Sequence, residues 1–489
     1  MATTAAAYSV AESTSASTPG GQDRQIAVRL TTKDAKYSIP PTKFLIPASW
    51  RRFHLSELIN QVLETSSPVP FDFLINSTLL RTTLGQYCLA TNTSEEVTLE
   101  IEYLPSTLPP KLESTTPAQD WISDISLAQH DSILSASYAG TLSLASSSST
   151  EPLTFSGHLQ AVLSCCYVDN AFAGVSGHSW VASGGMDRIA RVWQYQPAAS
   201  TDSSTAAPTP QTLYTLHLHN SSVSSVRARQ LDSSSARQSP HLLTAGWDGL
   251  IGLWDLSPGV NESNEPLEAE DGDENGDGRK KKRRKQATSQ SKAKAPINVL
   301  RGHEGKVSSA IFDHSSATTA YSAGWDHTVR SWDLETGSET AAKASTCDKV
   351  IYSLAQMATP NLLATGTADR QVCFFDLRTS SDSSSAPISQ NISLTLFGHT
   401  SVVSSVKNHP TKPLTLVSGS FDGTVRVWDA RSPKQSLFVL PMPALQDASS
   451  SIDKVLSVDW DGDRIVAGGQ GSQLVQWRVS ESGEVAPAA

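Results

Sequence analysis

A set of three residues, histidine, aspartate and tryptophan, recurs four times along this chain of 489 residues and constrains its fold more than any other feature. The tryptophan always follows the aspartate by 6 residues, whereas the histidine precedes the aspartate by 29 residues in two copies and by 23 in the other two. A recurring period of this length is the signature of a fold built from similar small units. The copies are His158, Asp187, Trp193; His219, Asp248, Trp254; His303, Asp326, Trp332; and His399, Asp422, Trp428.

The constant spacing predicts the place of each residue in a small sheet. The aspartate lies in a tight turn, and the next strand carries the tryptophan at its far end. With a serine or threonine between them, histidine, aspartate and tryptophan then form a buried hydrogen-bonded chain across four strands. Such a network stabilises a sheet only if every member is paired. Because an active site occurs once and these residues recur, we interpret the histidines and aspartates as structural ties.

Three weaker copies complete the series. One retains Asp369 but has Phe375 in place of the tryptophan, and one retains Trp477 but has Gly471 in place of the aspartate. The third, Trp121–Ala145, has alanine at both positions, so burial of Trp121 and Leu142 should replace its missing tie. Four clear copies and three weak ones predict a mainly β fold, a seven-bladed β-propeller over residues 118–480.

The chain before the repeats follows a different pattern. Residues 24–104 contain stretches with strand-like alternation and one helical apolar face, formed by Leu55, Leu58, Ile59, Val62 and Leu63. We therefore expect a small α+β domain of ubiquitin-like size. Proline-rich residues 105–117 are expected to be a linker, residues 1–23 a disordered leader and residues 481–489 a tail.

Several motifs resemble those of one known family. They are Pro70–Asn76, Leu79–Leu84, Ser94–Glu96, Asp120–Ser123, Ser322–Arg330 and Lys454–Trp460. Together they resemble the nucleolar WD-repeat subunit of the Pescadillo–Bop complex, whose N-terminal domain is of the Notchless type. The resemblance covers residues 24–480 and implies a non-catalytic factor for 60S ribosome assembly and large-subunit rRNA processing. It also implies that the chain binds a Bop-type WD-repeat partner, a Pescadillo-type protein and the pre-60S particle. The implied localisation is the nucleolus and nucleoplasm.

The same resemblance implies a role for an acidic pair in the N-terminal domain. In the related domains one acid is offered to a metal-ion-dependent adhesion site on the midasin AAA ATPase, which removes the complex from pre-60S particles. Alignment without gaps places this acid at Glu96, with Glu95 as the alternative and Ser94 as a neighbouring contact. A carboxylate suits the task because Mg²⁺ held by the partner takes oxygen ligands. The chain is expected to need no cofactor of its own.

A charged insert interrupts the repeats at residues 257–296. Eight acidic residues lie within Asn261–Gly278, and seven consecutive basic residues follow. We interpret the basic run as a nuclear-import signal; non-specific contact with rRNA phosphates and a solvated loop between blades are the alternatives. The basic run is Arg279, Lys280, Lys281, Lys282, Arg283, Arg284 and Lys285.

Large aromatic residues stand directly before three of the turn aspartates. They are Trp247, Trp325 and Phe421. On a propeller these positions surround the central channel at one end, where exposed aromatic side chains are typical of protein interfaces. Packing between adjacent blades is the alternative interpretation.

Composition excludes several other classes of protein. The net charge of −10 disfavours a general nucleic-acid binder, and no apolar run is long enough to span a membrane. Five cysteines without paired spacing favour a reduced, intracellular compartment. We find no pattern of catalytic or zinc-binding residues.

Two alternative functions remain at this point. Trp428-Asp429-Ala430-Arg431 and Phe375-Asp376-Leu377-Arg378 resemble the WDxR box of cullin-ligase substrate receptors. A Notchless-type sibling would act on a later pre-60S particle, but the count of seven repeats and the basic insert argue against it.

Overall fold

The computed structural model divides the chain into two compact units, Met1–Ser106 and Thr107–Ala489. We describe each unit by itself. The residues that the structure describes are 24–40, 42–64, 68–93, 98–127, 132–146, 152–168, 179–196, 210–229, 240–263, 291–339, 345–346, 349–359, 362–376, 392–443 and 453–479.

The N-terminal unit is a five-stranded sheet with two helices. The strand order is β2-β1-β5-β3-β4, in which the central strands β1 and β5 are parallel and the other pairs antiparallel. The elements are β1 (Gln25–Thr31), a 3-10 turn (Ala35–Tyr37), β2 (Lys43–Pro47), α1 (Arg52–Leu63), β3 (Phe71–Ile75), β4 (Thr78–Leu79), α2 (Leu84–Thr91) and β5 (Leu99–Pro105).

The apolar face of α1 and the alternating residues of the strands form the core of this unit. Leu55 and Ile59 are fully buried against Val28, Phe73 and Ile101. Leu58 and Leu63 lie at the margin of the core, whereas Val62 is exposed, so the buried helical face is narrower than the sequence predicts. The result is the small α+β fold expected from the pattern.

The C-terminal unit contains seven small sheets, here called blades 1 to 7 in chain order. Its first strand is β6 (Lys111–Pro117). Blade 1 contains β7 (Ile122–Leu127), β8 (Ser132–Ser137), β9 (Thr141–Ser146) and β10 (Leu153–Ser156); blade 2 contains β11 (Val162–Val168), β12 (Ser179–Gly185), β13 (Ile189–Tyr195) and β14 (Gln211–His217). Blade 3 contains β15 (Val223–Ala228), β16 (His241–Gly246), β17 (Leu250–Asp255) and β20 (Asn298–Arg301). Two short strands of the insert, β18 (Glu262–Ser263) and β19 (Lys292–Lys294), lie between β17 and β20 in the chain.

The remaining blades repeat the same meander of four strands. Blade 4 contains β21 (Val307–Phe312), β22 (Thr319–Gly324), β23 (Thr328–Asp333) and β24 (Ser345–Thr346); blade 5 contains β25 (Ile351–Gln356), β26 (Leu362–Thr367), β27 (Gln371–Asp376) and β28 (Ile392–Phe397). Blade 6 contains β29 (Val403–Asn408), β30 (Thr415–Ser420), β31 (Thr424–Asp429) and β32 (Phe438–Pro441); blade 7 contains β33 (Val455–Trp460), β34 (Arg464–Gly469) and β35 (Gln473–Arg478). The predicted fold class, a seven-bladed propeller after a small α+β domain, is confirmed.

Blade 7 takes its fourth strand from the other end of the unit. Strand β6 pairs antiparallel with β35, from Lys111 opposite Arg478 to Pro117 opposite Gln473. Residues 111–117 therefore differ from the linker expected there, since they form the strand that closes the ring. Proline content misled the sequence interpretation because Pro117 stands at the end of an edge strand, where a missing N–H is tolerated.

Blade 1 differs from the expectation in one respect. Leu142 is fully buried, as proposed, but Trp121 is 43% exposed and packs edge-on against Tyr138. Trp121 precedes β7 instead of lying within it, so its side chain stays outside the apolar layer. Leu134, Leu144 and Phe155 fill that layer together with residues of blade 2.

In the part of the chain that the structure describes, neither helix is long and apolar enough to cross a membrane.

Candidate functional site

The four complete repeats form hydrogen-bonded ties, each within one blade. In blade 6 the indole N–H of Trp428 donates to the Ser418 hydroxyl at 2.7 Å, and Ser418 Oγ lies 2.7 Å from His399 Nε2. His399 Nδ1 lies 2.9 Å from Asp422 Oδ2, so the ring N–H donates to the carboxylate and the Ser418 hydroxyl donates to Nε2. The tie thus joins the connection before the blade, the turn and two strands.

Blades 2, 3 and 4 repeat this geometry. The histidine–aspartate distances are 2.9 Å for His158–Asp187, 3.1 Å for His219–Asp248 and 2.7 Å for His303–Asp326. Trp193, Trp254 and Trp332 donate to Ser183, Thr244 and Ser322 at 2.8, 2.9 and 2.7 Å. Burial alone would raise the pKa of Asp326, but hydrogen bonds from His303 and Thr328 outweigh it and lower that pKa to about 2. Each tie therefore contains an ionised carboxylate fully used in pairing.

Asp369 does not belong to a tie, contrary to its place in the sequence pattern. Its side chain is about half exposed and lies 3.7 Å from Lys349 Nζ. No histidine stands before blade 5, and Phe375 occupies the tryptophan position without an N–H to donate. The aspartate at this turn therefore lacks both members that would bury it.

Blade 1 has no tie, but its Asp124 carboxylate accepts hydrogen bonds from three other blades, an arrangement that we call the hub. Asp124 on β7 accepts hydrogen bonds from Ser164 at 2.8 Å, from Ser457 at 3.0 Å and from Arg227 at 3.1 Å. These partners lie on the innermost strands of blades 2, 7 and 3. Burial opposes ionisation of Asp124, but the charges of Arg227 and Lys407 outweigh it and lower its pKa. One carboxylate thus joins four blades around the central channel.

The predicted aromatic positions lie at one end of the propeller, which we call the turn end. It carries the turns between the second and third strands and the connections from one blade to the next. Trp247 and Trp325 share a single cation: Lys306 Nζ lies 4.2 Å from the first ring centroid and 4.7 Å from the second. Trp325 is 40% exposed and packs edge-on against Tyr352 of blade 5.

Phe421 is held separately from the two tryptophans. Lys454 Nζ lies 5.6 Å from its ring, at the junction of blades 6 and 7. In all three cases the backbone N–H of the aromatic residue donates to a carbonyl just before an innermost strand, Ser222, Lys306 or Val402. These side chains are therefore held on hydrogen-bonded turns. Each contacts a lysine near a junction between blades and is also partly exposed to solvent.

The N-terminal acids and the basic run lie outside the described residues. Ser94, Glu95 and Glu96 belong to the connection between α2, which ends at Thr91, and β5, which begins at Leu99. Arg279, Lys280, Lys281, Lys282, Arg283, Arg284 and Lys285 belong to the stretch 264–290.

The structure describes the stem from which that stretch departs. Strands β18 and β19 pair antiparallel, and β19 pairs parallel with β14, so the insert of blade 3 extends the sheet of blade 2. The fully buried Lys294 donates to the carbonyls of Asp255, Ser257 and Val260 at 2.9, 2.6 and 3.0 Å. Hydrogen bonds from Lys292, from the Gly259 N–H and from Tyr214 outweigh burial and lower the pKa of Glu262 to about 2. Both ends of the insert are thereby fixed at one place.

Sequence reasoning missed Asp124, Lys294 and Lys306. A signal existed for Asp124, because the third residue of every other innermost strand is a serine, as in Ser164 and Ser457. Lys306 follows a Gly-His-Glu-Gly sequence, but nothing in that sequence indicates two indoles beside it.

No metal-binding cluster occurs in the described ranges: no group of three or more His, Cys, Asp or Glu side chains there could hold an ion. Within each tie the histidine is hydrogen-bonded to the aspartate, and the same arrangement occurs in blades 2, 3, 4 and 6. The geometry supports scaffolding and docking.

Comparison with known proteins identifies relatives for both units. Residues 26–88 match the NLE (NUC135) domain family, and residues 149–194, 210–255, 294–333 and 390–429 match the WD domain, G-beta repeat family. The chain is 35% identical over 480 residues to ribosome biogenesis protein YTM1 of Laccaria bicolor, covering 97% of this chain and 100% of the relative. It is 34% identical over 452 residues to YTM1 of Coprinopsis cinerea, covering 92% and 94%.

A solved structure supports the fold alone. The WD40 β-propeller domain of Doa1 aligns with a TM-score of 0.52 and 18% sequence identity, covering 77% of this chain and 99% of that one.

Proposed function

This chain belongs to the YTM1 family of ribosome biogenesis proteins, and from that premise we propose that it is a non-catalytic assembly factor for the large ribosomal subunit. In this proposal the propeller binds a Bop-type WD-repeat partner together with a Pescadillo-type protein on pre-60S particles. The N-terminal unit is the attachment point for the midasin AAA ATPase, whose action removes the complex so that rRNA processing proceeds. The observation that carries the proposal is the division into a small ubiquitin-like unit and a rigid propeller.

Affinity purification of the tagged full chain tests the proposal directly. We expect Bop-type and Pescadillo-type proteins and large-subunit precursors to co-purify. A cullin adaptor in their place would support the ligase-receptor alternative, and a later pre-60S particle without the Bop-type protein would support the Notchless-type alternative. The ligase box has little support, since Arg431 is already paired with Asp429 at 2.7 Å within the chain.

The attachment to the ATPase is proposed to depend on Glu96, with Glu95 and Ser94 beside it. A carboxylate has the donor chemistry that Mg²⁺ accepts, and the cation would be held by the ATPase. Glu96→Ala in the full chain should abolish ATPase binding in a pull-down and leave the Bop-type partner bound. Glu100→Ala is the matched control, because Glu100 is an exposed acid of the same unit that lies 3.8 Å from Arg29. Equal ATPase binding by the Glu96→Ala and wild-type chains contradicts the assignment.

Docking of the propeller is proposed to use Trp247, Trp325 and Phe421 at the turn end. Aromatic side chains on rigid positions lose little conformational freedom on binding and commonly dominate interfaces. Trp325→Ala should weaken binding of the Bop-type partner by about tenfold or more, a loss of at least ~1.4 kcal/mol. Phe53→Ala is the control, since Phe53 is a more exposed aromatic residue that belongs to the N-terminal unit and not to the propeller. An equal effect of both changes would contradict docking at the turn end.

Nuclear and nucleolar localisation is proposed to depend on the basic run Arg279–Lys285. The stem formed by β18 and β19 supports a clean test, because it brings both ends of the insert together. Replacing residues 264–290 with a short Gly-Ser linker should keep the propeller folded and prevent nuclear import of a fluorescent fusion. Import unchanged by the replacement would reject the signal. Salt-dependent rRNA binding that is lost in the same variant would support the RNA alternative.

A further inference from the structure

The strand that closes the propeller is also the first element of the C-terminal unit after the N-terminal one. The N-terminal unit ends at Ser106, and β6 begins at Lys111, only a few residues later. Any load that acts on the N-terminal unit therefore reaches β6 before it reaches another strand of the propeller. The partner of β6 is β35, the last strand of the unit, so this one strand pair closes the ring.

The closing strand is attached to its blade almost entirely by backbone hydrogen bonds. All seven residues of β6 are exposed, including Leu112. Its described side-chain bonds are few: Gln476 Nε2 donates to Glu113 at 2.8 Å, Arg478 pairs with Glu113 at 3.4 Å, and the Thr116 hydroxyl donates to the Leu474 carbonyl at a long 3.5 Å. Exposed pairs of this kind contribute about 0–1 kcal/mol each.

The fourth strands of five other blades each bury at least one large apolar side chain. Burying a side chain of this size stabilises a structure by roughly 1.5–3 kcal/mol, and β6 lacks that contribution. The buried residues are Phe155 of β10, Leu216 of β14, Leu300 of β20, Leu396 of β28 and Leu440 of β32. Among the fourth strands whose side chains the structure describes, the strand nearest to an applied load is thus the one with the least side-chain burial.

The register of the pair adds a geometric argument. Lys111, where the chain enters β6, lies opposite Arg478, where the chain leaves β35. Tension between the two ends of the protein therefore acts on the same end of the ladder. Backbone hydrogen bonds loaded in this way break one after another and do not share the force. In the short connection before β6, Thr107, Leu108 and Pro110 border a small cavity together with Phe438 and Trp460.

We infer that β6 is a mechanical latch, which detaches from β35 under load on the N-terminal unit and opens the propeller at blade 7 before any other blade is disturbed. This inference takes from the proposed function only the idea that a motor pulls on the N-terminal unit. Detachment of β6 can be measured without the motor, so failure of the latch and failure of the proposed function give different results.

Stretching the full chain between its two termini in an optical trap tests the latch. Ser114 and Gln476 are directly opposite each other across the pair, so Ser114→Cys with Gln476→Cys can form a disulfide that locks β6. The first low-force opening event should be present in the reduced variant and lost on oxidation. The control is Ser143→Cys with Thr154→Cys, which locks the outermost pair of blade 1 and should leave that event unchanged.

A second measurement needs no force and no substitution. In hydrogen exchange of the wild-type full chain, the amides of β6 should exchange about tenfold or more faster than those of β10, β20 and β32, which are also edge strands. Equal protection of β6 and these strands would overturn the inference. A first opening event that persists in the oxidised Ser114–Gln476 variant, or that releases the length of the whole N-terminal unit, would overturn it as well.

Discussion

Blades 5 and 6 are neighbours in the ring, yet they join their strands by different means. Blade 6 links His399, Ser418 and Trp428 in a polar chain that ends on Asp422. In blade 5, Thr365 occupies the place of Ser418 but donates to the Cys373 carbonyl at 3.2 Å. Phe375 is buried at the tryptophan position and packs with Tyr321 and Ala323 of blade 4. Trp428 packs in the same way with residues of blade 5, so blade 5 keeps the apolar packing against its neighbour and lacks only the polar chain.

Blade 1 adds a third solution to this comparison. It contains neither a tie nor a large aromatic residue at the tryptophan position, and Asp124 connects it to blades 2, 3 and 7. Ties act within blades, whereas the hub acts between them. Because a hub leaves several partners unpaired when it is removed, we expect the untied region to contain the residue most sensitive to substitution.

The largest effect is expected for Asp124→Ala. The change leaves the partly buried Arg227 without its carboxylate and the hydroxyls of Ser164 and Ser457 without that acceptor. We expect a loss of about 3–5 kcal/mol in the free energy of unfolding, measured by urea denaturation with tryptophan fluorescence. Asp120→Ala, the same change near the surface of the same blade, should cost less than ~1 kcal/mol. A similar small loss for Asp124→Ala would show that the hub does not hold blade 1.

An intermediate effect is expected for Trp428→Phe, which makes blade 6 resemble blade 5. The Ser418 hydroxyl loses its indole donor, and we expect a loss of about 1–3 kcal/mol in the free energy of unfolding. The reverse change, Phe375→Trp, should not stabilise the protein, because Thr365 is already bonded to a carbonyl and no histidine faces Asp369. Stabilisation by Phe375→Trp would mean that the tie depends on the tryptophan alone.

The acid sensitivity of the fold should depend on the tied aspartates, of which Asp326 is the example. The folded-state pKa of Asp326 is about 2, below its ordinary value near 4, so its carboxylate stabilises the fold above pH ~4 and loses this contribution as the pH falls towards 2. Asp326→Asn should lower stability at pH 7 and make it depend less on pH between about 5 and 2. Unfolding midpoints measured across this range provide the check, and parallel profiles for the variant and the wild type would contradict the assignment.

The smallest effect is expected for Asp369→Ala. Its carboxylate is half exposed and has only a 3.7 Å ion pair with Lys349, so the free energy of unfolding should change by less than ~0.5 kcal/mol. Asp422→Ala, at the equivalent turn of blade 6, is the matched comparison and should cost several times more. A large loss for Asp369→Ala would reveal a tie in blade 5 that the geometry does not contain.

The repeated contacts were predictable from the amino-acid sequence, because each tie joins residues at short and constant spacing. The distance from Asp422 to Trp428 recurs in every complete blade, and this recurrence also separates structural histidines from catalytic ones. The same reasoning failed at Asp369, since the spacing shows which residue stands at a turn but not whether a histidine faces it.

Local patterns and spacings therefore established the two-part architecture, the seven blades and the members of the four ties. Only the tertiary structure revealed how the ring closes, because β6 pairs with a strand more than 350 residues later and this pairing leaves no periodic trace. The same holds for Asp124, Lys294 and Lys306, since a charged residue is ordinarily expected at the surface when only the sequence is known. Their surroundings consist of carbonyls, hydroxyls and indoles from separate parts of the chain, and these come together only after the chain has folded.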